Sequence, residues 1–203
     1  MALYRIASVV PVRSVVRCTV PGWLVLSALA VNLGLYAVMM FGTLAQVSAL
    51  ADGVTPFDLR PFGYTLGEAR ELLELLGEEG RNYYSRVHLA VDAVYPATYA
   101  VSRALALWWL TTPRRLCDRI LPMRMRVGLL VPPVVAGGLD YLENWHIAAM
   151  LDAGPRLTAE LVDAASMATI GKLHAGLLTE VVLVVLASAV FVCWRRRAAA
   201  RTI

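Results

Sequence analysis

Four long stretches of mostly apolar residues alternate with shorter polar segments along the chain. They run from about 22 to 46, 86 to 112, 127 to 151 and 171 to 194. A helix that crosses the hydrocarbon layer needs about 20 such residues, because each residue rises by about 1.5 Å. Backbone in lipid has to satisfy its hydrogen bonds internally, which favours helices. The pattern predicts one all-α domain over residues 1–203, an integral membrane four-helix bundle.

The segment between the first and second stretches has a helical pattern of its own. Thr65 and Glu68 have the spacing of a capping box, and leucine and alanine follow every three or four residues. Gly77 supplies a stop signal. Three glutamates would face water on the opposite side. We expect a short amphipathic helix over about 66–76, lying over the outer mouth of the bundle.

The composition indicates that lipid is part of the solvent around this chain. Hydrophobic residues make up 59% of the sequence, charged residues 17%, and the mean hydropathy is +0.62. Soluble domains carry about 25% charged residues. Eighteen of the nineteen basic residues are arginine, a bias typical of high-GC bacterial genomes. We therefore expect a bacterial multi-pass protein of the cell (inner, cytoplasmic) membrane.

The basic residues are distributed unevenly over the connecting segments. The N-terminal arm, the loop between the second and third stretches and the C-terminal tail hold twelve basic residues and one acid, Asp118. The opposite side, residues 46–85 and 152–172, holds five basic and ten acidic residues. Basic residues concentrate in short cytoplasmic loops, so both termini are predicted to be cytoplasmic. The arginines fit contact with anionic membrane lipids and not with nucleic acid.

The first apolar stretch also has features of a secretory signal. Arginines precede it, and Ala49-Leu50-Ala51 has the small residues of a cleavage site. The apolar core of a signal is about 7–15 residues long, which is shorter than this stretch. We therefore interpret the stretch as the first membrane span.

The three cysteines lie near the predicted cytoplasmic ends of the spans. They are Cys18, Cys117 and Cys193, and none belongs to a CxxC motif. From this spacing we expect neither a disulfide framework nor thiol redox chemistry.

Ionisable side chains interrupt the apolar stretches. A charged group at the bilayer centre costs about 2.5–3.5 kcal/mol on insertion scales, so each should face protein or water and is a functional candidate. The set consists of Arg86, His88, Asp92, Arg103, Asp140, Glu143, His146, His174 and Glu180.

The second stretch places its polar residues on one helical stripe. Pro96 lies within the stripe and cannot donate to the carbonyl of Asp92, so a kink is expected there. A kink beside an intramembrane acid can open a small cavity. A purely structural role for the stripe is equally compatible with the spacing. Its members are His88, Asp92, Tyr95, Tyr99 and Arg103.

The third stretch contains the densest polar cluster. Asp140, Glu143 and Asn144 are spaced at i, i+3 and i+4 and therefore share a face. Two carboxylates one turn apart cannot both ionise comfortably in low dielectric, so one should stay protonated unless a cation lies between them. Arg103 or Arg86 could supply it. Counted along the helices, the acids of the three later stretches fall in one layer in the outer half of the bilayer.

We interpret this layer as a polar, acidic cavity that binds, or processes by acid/base chemistry, a lipid-like or small amphiphilic molecule. Whether the protein is an enzyme stays open, and no cofactor is expected. Metal binding is a weaker variant, in which Glu143 and His146 form Glu-x-x-His, with His88 and Asp92 one turn apart. The catalytic candidates are Asp140, Glu143, Asp92 and Tyr95, and the ligand-binding candidates are Asn144, Tyr99, Arg103, Glu180, His88 and Arg86.

Two other classes of function fit the same residues. Buried acids and histidines can carry protons or ions, although four spans without a repeat would need a homo-oligomer for alternating access. Small residues in the first stretch suit helix contacts, either within the chain or between copies, which fits a non-catalytic sensor or assembly subunit. The sequence lacks the phosphate-loop, GxSxG and HExxH motifs.

Overall fold

A computed structural model describes residues 20–201 of the chain. Within that range the secondary structure is helical and no strand is present. The helices are α1 Gly22–Leu50, α2 Leu66–Tyr83, α3 Leu89–Asp92, α4 Tyr95–Leu110, α5 Met123–Ala153 and α6 Ala159–Ala199. Helix α1 contains the π-helical turn Met39–Thr43, a second π-helical turn, Tyr84–His88, joins α2 to α3, and short 3-10 turns occupy Phe57–Leu59 and Gly154–Arg156.

Three helices in the described part of the chain are long and apolar enough to cross a membrane, namely α1, α5 and α6. The second apolar stretch of the sequence does not form one long helix. The chain turns at Ala93 and Val94, and α4 begins at Tyr95 with Pro96 in its first turn. Proline is tolerated there because the first N–H groups of a helix have no intrahelical partner. The break therefore occurs where Pro96 predicts a kink.

The capping box predicted at the start of the outer helix is present. The Thr65 side chain accepts from the Glu68 backbone N–H, and the Glu68 carboxylate accepts from the Thr65 backbone N–H at 2.7 Å. The bonds that the Glu68 carboxylate accepts from the Thr65 backbone N–H and hydroxyl hold the pKa of Glu68 below its usual value. Gly77 has non-helical backbone with φ 58°, after which the helix resumes. The exposed residues include Glu68, Glu71 and Glu74, as the periodicity predicts.

The apolar face of α2 covers one end of the longer helices. Its leucines are buried against residues from the end of α5 and the beginning of α6, together with Phe57 of the connecting segment. Main members of this core are Val47, Phe57, Leu72, Leu76, Tyr84, Ile147, Met150 and Val162. The packed cap fixes the loop 51–65 over the bundle.

The longer helices pack in the order α1, α4, α5 and α6. Helix α5 approaches α4 closely at Gly137, where an added Cβ would lie 2.9 Å from the Pro96 carbonyl oxygen. Helices α1 and α6 have no extensive contact with each other among the described residues. A cavity lies between these two helices.

A disulfide joins Cys117, in the loop after α4, to Cys193 near the end of α6. Their Cα atoms are 5.4 Å apart. Arg197 adds an ion pair to Asp118 at 2.8 Å. The expectation of unpaired cysteines is thus wrong for these two, because packing places residues 76 positions apart side by side, which spacing does not reveal. Cys18 lies outside the described residues.

Candidate functional site

Two π-helical turns face each other beneath the α2 cap. The turn in α1 ends at Thr43, and the turn after α2 contains Tyr84 and ends at His88. The extra residue in a π turn redirects side chains, and such turns are frequent at functional sites. Here Thr43 Oγ1 lies 2.8 Å from His88 Nδ1. The histidine is fully buried.

Asp58 reaches the same point from the connecting segment between α1 and α2. Its side chain is 5% exposed, and Oδ1 lies 3.5 Å from His88 Nε2. The Tyr84 hydroxyl donates to its other oxygen, Oδ2. Burial raises the pKa of Asp58, but the proximity of His88 outweighs burial and holds it well below its usual value. Burial and the Asp58 charge raise the pKa of Tyr84.

Asp92 is the least satisfied acid in the site. It ends α3, just before the break at Ala93, and is 1% exposed. Neither carboxylate oxygen has a hydrogen-bond partner among the described residues. One ligand atom each from Asp58, His88 and Asp92 fall within 4.8 Å of one another. Buried polar atoms are normally paired, so this arrangement calls for a physical explanation.

Lys172 supplies the cation between the two acids of α5. Its ammonium lies 2.9 Å from Asp140 Oδ1 and also pairs with Glu143. The Thr169 hydroxyl donates to the fully buried Glu143. We expected Arg103 or Arg86 in this role, and that pairing is wrong. Lys172 lies on α6, which packs along α5, so it reaches both acids directly.

Arg103 belongs to a second polar group. Its Nε donates to Glu180 at 2.9 Å, and Nη1 donates to the buried Asn32 at 2.7 Å. The guanidinium also stacks over the Tyr99 ring, 4.8 Å from its centroid. The Asn32 amide donates to Thr98 at 3.1 Å. This group ties α1, α4 and α6 together at one level of the bundle.

Residues from each of these polar clusters line one cavity of about 660 Å³. Its polar lining includes Asp58, Asp92, Tyr95, Tyr99, Arg103, Asp140, Thr169, Lys172 and Glu180. Its apolar lining includes Met39, Met40, Leu44, Leu59, Ala136, Leu173 and Leu177. The cavity is therefore amphipathic, with carboxylates and one ammonium set into a largely aliphatic wall.

Of the ten catalytic and ligand-binding candidates from the sequence, six line this cavity and four do not. Glu143 and His88 are buried behind the cavity wall. Glu143 contacts the lining residue Lys172, and His88 contacts the lining residue Asp58. The side-chain amide of Asn144 is buried without a hydrogen-bond partner among the described residues. Arg86 is exposed and lies outside the cavity lining.

The weak metal candidate Glu143 with His146 is not supported by the contacts of these side chains. Glu143 is held by Lys172 and Thr169, whereas the His146 ring lies against Trp145, with 5.1 Å between ring centroids. Residues three apart on a helix are neighbours, but here each has turned to a different partner.

The sequence analysis missed Asp58, Thr43, Thr169 and Lys172 as site residues. Asp58 lies in a connecting segment, and the two threonines are ordinary in apolar helices. The sequence offered one indication that Lys172 is a site residue, because it is the only lysine in a chain with eighteen arginines. A lysine ammonium is a compact charge that can bridge two acids, whereas the planar guanidinium is shaped for bidentate pairing with a single carboxylate.

Comparison with protein-family models, with curated proteins and with solved structures finds no match to this chain. The class that the fold defines is an all-helical protein in which three of the described helices could span a membrane.

Proposed function

We propose that this protein binds a lipid-like or small amphiphilic molecule in the cavity between α1 and α6. The observation that carries the proposal is the amphipathic wall of a cavity of about 660 Å³. Pockets for small molecules enclose about 300–1,000 Å³ and combine an apolar lining with a few placed polar groups. The polar end would hold the head of the molecule, and the methionine and leucine wall would hold its apolar part.

The route into the cavity favours a molecule that arrives from the membrane. Tyr36 on α1 and Leu177 on α6 belong to the lining and remain 43% and 61% exposed. Both lie on candidate membrane-spanning helices, so their exposed faces would meet lipid. An amphiphile dissolved in the bilayer could enter between the two helices without crossing water.

The proposed roles follow from which polar groups already have partners. Asp140 and Glu143 are neutralised by Lys172, so we assign them to fixing the charge of the polar end. Asp92 has oxygens without a hydrogen-bond partner among the described residues, and both Asp92 and Tyr95 belong to the cavity lining. We propose that the head of the molecule binds beside Asp92, and that acid/base processing would take place there.

We also propose the topology that the arginine distribution favours. In it α4, extended by α3, completes a fourth crossing, and both termini lie on the cytoplasmic side of the bacterial inner membrane. The helix pair would pass the polar layer in the outer half of the bilayer. The break at Ala93 is tolerable there because the Tyr141 hydroxyl donates to the Ala93 carbonyl at 3.0 Å, which gives that carbonyl a hydrogen-bond partner inside the protein.

The proposal predicts that filling the cavity displaces the bound molecule. Met40 lines the cavity, whereas Val38, two residues away on the same helix, is 54% exposed and does not. We expect native mass spectrometry in mild detergent to detect a stoichiometric lipid-sized adduct on the wild-type protein. Met40→Trp should reduce its occupancy at least about tenfold, because the indole takes up space that the amphiphile needs.

Val38→Trp is the matched control and should keep the adduct. An adduct that survives equally in Met40→Trp would contradict the cavity as its site. If the wild-type protein carries no adduct, the result would instead favour proton-coupled transport or a partner-assembly role as the function.

A further inference from the structure

Asp58, His88 and Asp92 point three buried ligand atoms at one place. The Asp58 and His88 side chains are 5% and 0% exposed, and Asp92 is 1% exposed. Asp58 Oδ1, His88 Nε2 and both Asp92 oxygens lack hydrogen-bond partners in the described part of the chain. The contact of 3.5 Å between Asp58 and His88 is too long for a good hydrogen bond. We propose that these three residues bind a divalent first-row transition-metal ion.

The surrounding hydrogen bonds orient two of the three ligands. Tyr84 donates to Asp58 Oδ2, which leaves Oδ1 for the ion. His88 Nδ1 lies 2.8 Å from Thr43 Oγ1, and that hydroxyl lies 3.5 Å from the Met39 carbonyl. With Nδ1–H donating to Thr43, the lone pair of Nε2 faces the two carboxylates. Metal-bound histidines almost always donate their other N–H in this way.

The charge of the region independently favours a cation at this point. Four carboxylates, those of Asp58, Asp92, Asp140 and Glu143, lie in or directly behind the cavity wall that holds the single ammonium of Lys172. Lys172 contacts only the two acids of α5 within ion-pair distance among the described residues. Burying unpaired carboxylates is costly, and a divalent ion would neutralise the other two.

The ligand set defines the kind of ion. One imidazole and two carboxylates, without a thiolate, suit Zn²⁺, Mn²⁺ or Fe²⁺. The ligand atoms lie within 4.8 Å of one another. Ligands of a tetrahedral ion stand about 3.4 Å apart, so binding would draw them together by about 1 Å. Three protein ligands leave one position open, as in catalytic zinc sites. That position would face the cavity, because Asp58 and Asp92 line it.

The test is metal binding by the purified full chain after removal of metals with EDTA. We expect one Mn²⁺ or Zn²⁺ per chain, measured by elemental analysis and by Mn²⁺ electron paramagnetic resonance, and a higher Tm when the ion is present. Asp92→Asn should weaken the affinity at least about tenfold, because a neutral amide replaces a ligand carboxylate. Asp92 has no hydrogen-bond partner to lose among the described residues, so this variant should still fold.

Asp163→Asn is the matched control, since it removes the same charge from an exposed position of α6. It should bind the ion as the wild type does. The proposal is overturned if the wild-type chain binds neither ion stoichiometrically, which is also the result expected if protons neutralise the acids. It is overturned equally if Asp92→Asn retains full affinity. These readouts do not depend on a lipid adduct, so the ion site and the proposed amphiphile can fail separately.

Discussion

Lys172 has an unusual position at the scale of single residues. It is the only lysine in the chain, and its side chain is only 21% exposed between two carboxylates. Removing one partner from a buried ion pair leaves the other charges uncompensated. Glu180 with Arg103 is the contrasting pair, because Arg103 would keep the Asn32 oxygen and the Tyr99 ring as partners when Glu180 is neutralised.

Lys172→Met should therefore destabilise the protein by about 3 kcal/mol, since Asp140 and Glu143 would remain buried without a cation. Glu180→Gln should cost at most about 1 kcal/mol. Thermal unfolding in the same detergent measures both. Equal losses of stability in the two variants would show that the Lys172 ion pairs contribute no more to stability than the Arg103 ion pair does.

At the scale of helices, the contact between α4 and α5 depends on a residue without a side chain. Gly137 is buried, and its Cβ position would meet the Pro96 carbonyl at 2.9 Å and the Ala100 side chain at 3.4 Å. Gly138 has nothing within 4 Å of its Cβ position. Small residues let membrane helices approach closely, and only one of these two adjacent glycines performs that task.

Gly137→Ala should separate α5 from α4 and lower the stability by about 1–3 kcal/mol, as expected when a packed contact is overfilled. Gly138→Ala should leave stability unchanged or raise it slightly, because alanine favours helix over glycine. The ratio of folded to aggregated protein on heating and size-exclusion profiles would measure both. A larger loss for Gly138→Ala would contradict the helix contact described here.

At the scale of the whole molecule, the chain has two chemically different ends. One end has the acidic helix α2 and the cap over the site. The other has the arginine-rich loop and tail, joined by the Cys117–Cys193 disulfide and the Arg197–Asp118 ion pair. Arginine in short loops favours the cytoplasmic side, whereas disulfides persist in oxidising compartments. These two features therefore give opposite indications of which end faces the cytoplasm.

We predict that the arginine distribution decides the orientation, because it acts when the helices insert. Green fluorescent protein fused to the C-terminus should be fluorescent, and alkaline phosphatase fused to the C-terminus should be inactive. Cys117 and Cys193 should then be alkylated as free thiols when cells are lysed in the presence of a maleimide, and form the disulfide after oxidation. Active phosphatase, with the two cysteines already linked in cells, would show the opposite orientation.

The helical class was predictable from the sequence for a direct physical reason. Apolar stretches of more than about 20 residues can satisfy their backbone in lipid only as helices, and the sequence shows where they lie. Local signals were also readable, since the Thr65–Glu68 capping box and the Pro96 break depend on residues within one turn. The polar stripe of Asp92, Tyr95 and Tyr99 was readable for the same reason, because its members are only three or four residues apart.

The partners of those polar residues were decided by tertiary structure alone. Ion pairs and disulfides form between residues distant in sequence, and periodicity carries no information about which helix lies beside which. Packing of α6 along α5 brings Lys172 to Asp140 and Glu143. Folding of the connecting segment beneath α2 brings Asp58 to His88. The sequence by itself determined a helical chain with acids inside apolar stretches long enough to span a membrane. The packing of its helices determined which acids are neutralised and which, like Asp92, have no hydrogen-bond partner among the described residues.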